Sequence, residues 1–489
     1  MSEKHLIENH HISQTSLSDT KLYSVLAQFS VYDLNRLGKF IRSPYFNKNE
    51  ELISLFEAVN STIRNGNAMH LGKLELWERA TRHKPYNDLK FRKLCSELLK
   101  LIERFLMQEV FEENSLQKAD NLLAAVYHRK LEALYNTSVS AAERLSAQYH
   151  FRPASYYYYE YSFERNYYNL TSLEIDRSKQ VNIDQIAENL DKFYIAEKLR
   201  CYFMMIDRQK MSSHDYHVLF MDEIIIHIES GNLREIVPIN LYYQIHLMQK
   251  ESAVSDHFEE LKQLMATHIN LLPQQEAYEV LASALNYCIN KVNSGNKDYL
   301  REYMELSLMG IKKEILLING TLDPWAFRNI VFSGLRLGDF NWVKDFIFGY
   351  QHYIDSQHRE NAVSFNLANL YFYQKNFGEV LKLLQSVEYD DPSYNRNSKT
   401  ILLATYYELE EIESLTSLLS SFELYLRRNK SIPENRKTPY LNLIKFLRSL
   451  VRTSNTDLNN LQKLRKKVDQ TERIVSKEWL LEKIDALLT

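Results

Sequence analysis

Apolar residues recur at helical spacing along most of this chain, and no stretch of useful length shows the strict apolar and polar alternation of a strand. From about residue 87 to 112, apolar side chains three or four positions apart predict one long amphipathic helix. Farther along, the same pattern predicts helices at about 186–211, 215–230, 237–250, 254–270, 274–293 and 297–316. Glycine, asparagine and proline stand between them, as in short loops that join antiparallel helices. The pattern therefore predicts an all-α protein with essentially no sheet.

The beginning of the chain predicts shorter helices. Residues 1–19 are polar and are expected to be disordered, and helices follow at about 20–28 and 31–42. The second helix is expected to end before Pro44, because proline disfavours helical backbone in the residue that precedes it. A new helix is predicted to start at Asn47, with Asn47 as its cap and Glu50 completing a capping box. These helices predict a compact N-terminal helical domain.

Composition agrees with a helical protein and excludes some classes. Only 11 glycines and 9 prolines occur in 489 residues, roughly 4% of the chain against a usual ~12% for the pair. With 45% hydrophobic and 25% charged residues, the chain can bury a core and is not predominantly disordered. The net charge of −3 points to no class of partner. Its length suits several domains or one elongated helical stack.

The cysteines and the N-terminal sequence bear on location. Cys95, Cys201 and Cys288 are too far apart for a CxxC redox or zinc pair, so we expect buried free thiols. The first residues contain no apolar segment of the signal-peptide kind, and no uncharged apolar run reaches 18 residues. We therefore expect a cytoplasmic protein without a membrane partner.

Three consecutive segments of about 35 residues share one arrangement of apolar and turn positions. The first opens with Asp323 and Pro324, a capping residue followed by proline at the first helical position. The shared apolar positions are Ile330, Val331, Phe340, Val343 and Ile347, then Leu367, Ala368, Tyr371, Phe377, Val380 and Leu384, then Leu402, Leu403, Tyr406, Ile412, Leu415 and Leu419. This spacing resembles the tetratricopeptide repeat over about residues 324–430. The resemblance implies helical hairpins that are stable only when each packs on the next.

Several positions depart from the repeat pattern. Where the family prefers a small residue, this chain places Val331, Val343, Val380, Leu403 and Leu415. Gly334 replaces an aromatic residue, and Arg427 replaces the closing proline, so the helix crossing angles are expected to differ from those of the family. We divide the chain into a disordered N-terminus at 1–19, an N-terminal helical domain at 20–135, irregular helical hairpins at 136–316, tetratricopeptide-like repeats at 324–430, and C-terminal basic and capping helices at 431–489.

The resemblance also implies a binding groove, because in such proteins the first helix of each unit lines a concave face. Its ligand-facing positions hold Trp325, Arg328, Phe332, Phe365, Asn369, Phe372 and Tyr407 in this sequence. Aromatic and arginine anchors suit an extended peptide or a partner helix, and the resemblance gives Asn369 a role in clamping a peptide backbone. The alternative is that neighbouring helices cover these aromatic side chains, since large apolar residues are more often core than groove.

Charge suggests a second type of partner. The segment from 427 to 467 carries twelve arginines and lysines against Glu434 and Asp457, whereas the segment before it is acidic. Such a basic region can contact nucleic-acid phosphates, although an acidic neighbour can neutralise it within the chain. The candidate contacts are Arg427, Arg428, Lys463, Arg465, Lys466 and Lys467.

The sequence contains no HExxH, phosphate loop, GxGxxG or nucleophile elbow. We therefore expect no enzyme activity, no cofactor, no metal and no small-molecule substrate. The favoured function is a non-catalytic helical-repeat scaffold or adaptor that binds a protein partner, and the alternative is a nucleic-acid-associated protein. An enzyme site assembled from distant helices stays open, because catalytic sites depend on geometry rather than on fold.

Overall fold

The computed structural model describes residues 20–64, 72–81, 84–171, 181–211, 216–251, 253–384, 392–429, 432–453 and 457–488. It is 82% helical, so the all-α prediction is confirmed. The segment 1–19, which was expected to be disordered, lies outside the described residues. Contacts divide the chain into two compact units, Met1–Tyr149 with Tyr156–Asp191, and His150–Ser155 with Lys192–Thr489. The five-segment division of the sequence remains a prediction.

The first unit is built from a series of short and medium helices. They are α1 (Lys21–Leu26), α2 (Val31–Arg42), α3 (Glu50–Arg64), α4 (Lys73–Thr81), α5 (Asp88–Glu113), α6 (Ser115–His128), α7 (Tyr135–Gln148) and α8 (Ala154–Thr171), with a 3₁₀ turn at Glu132–Leu134 before α7. Helix α9 (Ile183–Met211) begins in this unit and ends in the second. The apolar stripes of α2, α3 and α5 meet in one core, in which Leu37, Leu55 and Leu98 are fully buried.

The predicted start of α3 was wrong by three residues. The helix begins at Glu50, and Asn49 rather than Asn47 accepts a hydrogen bond from the first turn, through its Oδ1 to the Glu51 N–H at 3.0 Å. The Asn47 amide instead donates to the carbonyl of Ile41 at 3.0 Å, and its Oδ1 accepts from the N–H of Asn49. Asn47 therefore holds the loop against the end of α2, a contact that helix periodicity cannot reveal.

The second unit continues with α10 (Met221–Ser230), α11 (Val237–Lys250), α12 (Asp256–His268), α13 (Gln274–Asn293), α14 (Tyr299–Lys312), α15 (Pro324–Leu337), α16 (Phe340–Tyr350), α17 (Ser356–Tyr373), α18 (Phe377–Leu384), α19 (Pro392–Glu408), α20 (Ile412–Arg428), α21 (Glu434–Arg452), α22 (Leu458–Gln470) and α23 (Lys477–Leu488). Further 3₁₀ turns lie at Asn232–Glu235, Ile269–Leu271 and Gln351–Tyr353. From α11 onwards, successive helices pack as hairpins, and first helices of neighbouring hairpins touch at α11 and α13, α15 and α17, and α17 and α19. The chain thus contains many helical hairpins packed together, compatible with a helical solenoid.

The prediction of essentially no sheet needs a small correction. Two strands of two residues each, β1 (Leu317–Ile318) and β2 (Thr321–Leu322), pair antiparallel across a turn at Asn319 and Gly320. Both turn residues have positive φ, at 52° and 76°, as a two-residue hairpin turn requires. This short hairpin leads into the first repeat-like unit.

The turns of the three repeat-like hairpins share one geometry. Gly338, Lys375 and Glu410 each have positive φ, at 78°, 59° and 58°. In each turn the next residue donates its N–H five residues back, from Asp339 to Gly334, Asn376 to Tyr371 and Glu411 to Tyr406, at 2.8 to 3.1 Å. This is the Schellman arrangement of a helix C-terminus. These turn residues lie 37 and 35 positions apart, so the three segments that share one arrangement of apolar positions also share one turn geometry.

Candidate protein-binding surface

The side chains that the repeat pattern assigned to a groove lie on three first helices. Trp325, Arg328 and Phe332 are on α15, Phe365, Asn369 and Phe372 are on α17, and Tyr407 is on α19. Asp323 caps α15 as expected, because its Oδ1 accepts from the N–H groups of Trp325 and Ala326 at 2.9 and 3.1 Å. These helices follow the repeat register, which explains why the assigned residues fall on related positions.

Two of these side chains are not accessible to a ligand. Phe365 is 0% exposed and Asn369 is 3% exposed. The Asn369 amide donates to the carbonyl of Phe365 in its own helix at 2.8 Å, so that amide group does not point into a groove as a peptide clamp. Trp325, Arg328, Phe332, Phe372 and Tyr407 are half-buried. For Phe365 and Asn369, then, the structure favours the alternative of cover by neighbouring helices.

Tyr394 from α19 provides much of this cover. Its ring centroid lies 5.0 Å from those of both Trp325 and Phe365, and its hydroxyl donates to the carbonyl of Pro324 at 3.0 Å. Residues 324 and 394 are far apart in sequence, so helical periodicity could not predict the contact. The aromatic face of α15 and α17 is thereby packed against the following hairpin.

A larger concavity lies toward the N-terminal side of the second unit. It has a volume of about 800 Å³ and is lined by side chains from α9, α10, α11 and α13. The lining mixes aromatic rings, amides and charges of both signs, with Tyr202, Asp222, Glu229, His246, Gln249, Lys250, Ser283, Asn286, Tyr287, Asn290 and Lys291 among them. No sequence pattern predicted this site, because its helices lack the repeat signature. The available signal was a pair of amides one turn apart, Asn286 and Asn290, on a predicted helix.

Two residues that line this concavity, Gln249 and Ser283, have hydrogen-bonding atoms without a partner in the described part of the chain. The Oε1 atom of Gln249 and the hydroxyl of Ser283 are buried, and neither has a hydrogen-bond partner among the described residues. A buried acceptor without a partner loses its hydration and gains nothing in exchange. His246 lies beside them with its ring 5.5 Å from that of Tyr202, and burial lowers the pKa of its imidazole. The wall of the concavity therefore contains unsatisfied polar atoms just beneath its surface.

The basic C-terminal residues are partly neutralised inside the protein. Arg427 pairs with Glu423 at 2.9 Å, and Arg448 pairs with the same carboxylate at 2.8 Å, and their hydrogen bonds lower the pKa of Glu423. Arg465 pairs with Asp485 at 2.6 Å. The other assigned contacts are exposed side chains, Arg428 on α20 and Lys463, Lys466 and Lys467 on α22. Nucleic-acid binding stays a prediction. Because of these ion pairs, fewer basic side chains are available for phosphate contacts than the number of basic residues in the sequence suggests.

Two negative findings concern the described part of the chain. No three histidine, cysteine, aspartate or glutamate side chains there are grouped as they would be around a metal ion. Within the same residues, no helix has both the length and the apolar character needed to cross a membrane.

Comparison with protein families, with curated proteins and with solved structures finds no match to this chain. The class that the fold defines is an all-α protein of packed helical hairpins.

Proposed function

We propose that this chain is a non-catalytic scaffold that binds a partner polypeptide. The binding surface is the face of the second unit on which the first helices of the hairpins lie. The observation that carries the proposal is the concavity of about 800 Å³ between α9, α10, α11 and α13. A cavity of this size can hold a short extended segment of chain. The tetratricopeptide-like interpretation of residues 324–430 belongs to the same proposal.

The lining suits a polypeptide because it offers several kinds of polar contact. The exposed amides of Asn286 and Asn290 can both donate hydrogen bonds to a peptide backbone and accept them from it. Tyr202, which is half-buried, adds aromatic surface for side chains of the segment. Charges of both signs on Glu229 and other lining residues favour a polar peptide rather than a purely apolar helix.

The test is selection of linear peptides on the purified full chain, followed by affinity measurement with variants. We expect selected peptides to bind at least about tenfold more weakly to the double variant Asn286→Ala with Asn290→Ala, because each lost amide removes a contact to the peptide backbone. Both side chains are exposed, so the fold should be unaffected.

A matched control is the double variant Gln263→Ala with Thr267→Ala, which changes two exposed polar residues one turn apart on α12, outside the concavity. The control should bind like the wild type. Selection that yields no saturable peptide, or affinities that are equal for all three proteins, would exclude this site.

A further inference from the structure

A second cavity, of about 310 Å³, lies between α13, α14 and α15. None of its lining side chains is acidic, and two of them are arginines, Arg328 and Arg336. Part of the wall is apolar, contributed by Ile289, Val292, Leu300 and Phe332. The cavity therefore combines a small apolar volume with an excess of positive charge, and it is separate from the larger concavity.

Arg328 is a half-buried cation without an anion. Its guanidinium carbon lies 5.1, 4.8 and 5.8 Å from the ring centroids of Trp325, Phe332 and Phe365. Its Nε is buried without a hydrogen-bond partner, and no described carboxylate forms an ion pair with it. Burial also lowers the pKa of the guanidinium. Aromatic faces attract the cation but accept no N–H bond in the way that a carboxylate does.

The other described polar groups on the cavity wall carry no negative charge. The hydroxyl of Ser333 donates to the carbonyl of Asn329 at 3.0 Å, and Asn293, Tyr303 and Asn329 are uncharged side chains. These groups therefore do not compensate Arg328. The Arg328 guanidinium is a charged donor with no anionic partner among the described residues of the cavity wall.

Arg336 lies two turns farther along α15, on the same side as Arg328 and Phe332. It is exposed and has no ion pair within the described residues. An exposed, unpaired cation beside a cavity raises the local concentration of anions, and salt screens this attraction. The two arginines thus have different expected roles, with direct contact at Arg328 and electrostatic attraction at Arg336.

We propose that this cavity binds a carboxylate carried on a short apolar body, with the carboxylate on Arg328. The planar guanidinium matches a carboxylate, and the apolar wall matches the body. A phosphate is a poorer fit, because it is more strongly hydrated and would leave most of its oxygens against apolar wall. The carboxylate can belong to a free small acid or to a polypeptide, and the proposal holds for either source.

The experiment is calorimetric titration of the full chain with matched probes. Hexanoate represents a free acid, N-acetyl-leucine a chain end, and N-acetyl-glutamate α-methylamide an acidic side chain within a chain. Hexanamide and inorganic phosphate are the comparison ligands. We expect at least one carboxylate to bind, at least about tenfold more tightly than hexanamide and than phosphate, and the strongest carboxylate identifies the source.

Variants separate the roles of the two arginines. Arg328→Met should abolish carboxylate binding while leaving the ligand-free melting temperature equal or higher, because it removes a buried charge without a partner. Arg336→Gln should weaken binding about threefold at low salt and less at high salt. Arg301→Gln, an exposed arginine on α14 outside the cavity, is the matched control and should bind like the wild type.

Three results would overturn the proposal. The first is that no carboxylate binds at millimolar concentrations. The second is that phosphate binds more strongly than every carboxylate. The third is that neither arginine variant changes the affinity for carboxylates. If Arg328→Met does not fold, Arg328 has a structural role that the proposal excludes. Peptide selection at the larger concavity is scored with separate variants, so this site can fail while the proposed function stands, and the reverse.

Discussion

At the scale of single residues, Glu276 on α13 is a carboxyl group in an unfavourable position. It is 8% exposed, and burial raises the pKa of its carboxyl to about 7. Arg200 lies 3.9 Å away but gives its hydrogen bonds to Glu279, at 3.0 and 3.2 Å. The Oε2 atom of Glu276 has no hydrogen-bond partner among the described residues. Its ionised form is therefore poorly compensated.

This position predicts a pH-dependent stability. A carboxyl group whose folded pKa lies above its unfolded value binds its proton more tightly in the folded state, so stability falls as the pH rises from about 4.5 to 7. Glu276→Gln removes this ionisation. Urea unfolding should show the variant gaining about 2 kcal/mol relative to wild type between pH 5 and pH 8.

Glu279→Gln is the control for Glu276, because it removes the carboxylate to which Arg200 is hydrogen-bonded. It should lower the free energy of unfolding by about 1–3 kcal/mol at both pH values. A Glu276→Gln variant whose difference from wild type is the same at pH 5 and pH 8 would show that the Glu276 carboxyl does not titrate in this range.

Phe365 and Phe372 occupy the same helix, α17, but predict different outcomes. Phe365→Ala should lower the free energy of unfolding by about 3–5 kcal/mol, because the ring is fully buried with Val380, Leu384 and Tyr394. Phe372→Ala should cost clearly less, since that ring is half-buried and contacts Phe377 edge-on at 5.6 Å. Urea unfolding measures both, and equal costs would contradict the burial difference. Only Phe372→Ala can therefore test ligand binding at this face without loss of the fold.

Whether a given side chain is exposed or covered was the property least predictable from the sequence. The repeat register placed Trp325 and Phe332 on the first helix of one unit and Phe365 on the first helix of the next, which the periodicity of the chain does encode. Whether that face is open depends on Tyr394, a residue of the next hairpin. Such a contact joins distant segments of the chain, and no local pattern specifies it.

At the scale of elements, helix positions were predictable because their signals are local. The predicted helices at 237–250 and 274–293 match Val237–Lys250 and Gln274–Asn293. Pro238, Pro273 and Gly295 lie within two residues of three of these four ends. The predicted start of α3 was wrong because the Asn47 side chain can either cap a helix or hydrogen-bond to the preceding helix. It forms the hydrogen bond to the carbonyl of Ile41. Local signals therefore locate helices better than they locate caps.

The repeated turns provide a prediction at this scale. Lys375 and Glu410 adopt the left-handed backbone that Gly338 adopts in the first repeat-like hairpin. A side chain at such a position is strained, whereas glycine is not. Lys375→Gly and Glu410→Gly should each raise the free energy of unfolding by roughly 0.5–1 kcal/mol, measured by urea unfolding.

Gly338→Ala is the reverse experiment and should lower the free energy of unfolding by about 1 kcal/mol. No heavy atom lies within 4 Å of the added Cβ, so this loss reports backbone strain rather than a clash. If both glycine substitutions destabilise the protein, side-chain contacts of Lys375 and Glu410 outweigh the strain in their turns.

At the scale of the whole molecule, the last helix completes a core of its own in the second unit. Leu480 and Ile484 of α23 are fully buried together with Leu403 of α19 and with Leu419 and Phe422 of α20. Polar contacts add to this packing, because Trp479 Nε1 donates to the Glu408 carboxylate at 2.8 Å and Lys483 pairs with the same carboxylate at 2.7 Å. Without α23, the outer face of the last hairpins would expose this core to water.

Removal of residues 477–489 should therefore weaken α19 to α22 selectively. Burying Leu480 and Ile484 contributes about 1.5–3 kcal/mol each, so their loss should speed amide hydrogen exchange in the adjoining helices by at least about tenfold. The buried part of α5, around Leu98 and Ile102, belongs to the other compact unit and should exchange as in the full chain. Mass spectrometry of exchanged peptides measures both regions in one experiment. The double variant Leu480→Ala with Ile484→Ala should give the same pattern without truncation, and uniform acceleration in both units would show that they unfold as one body.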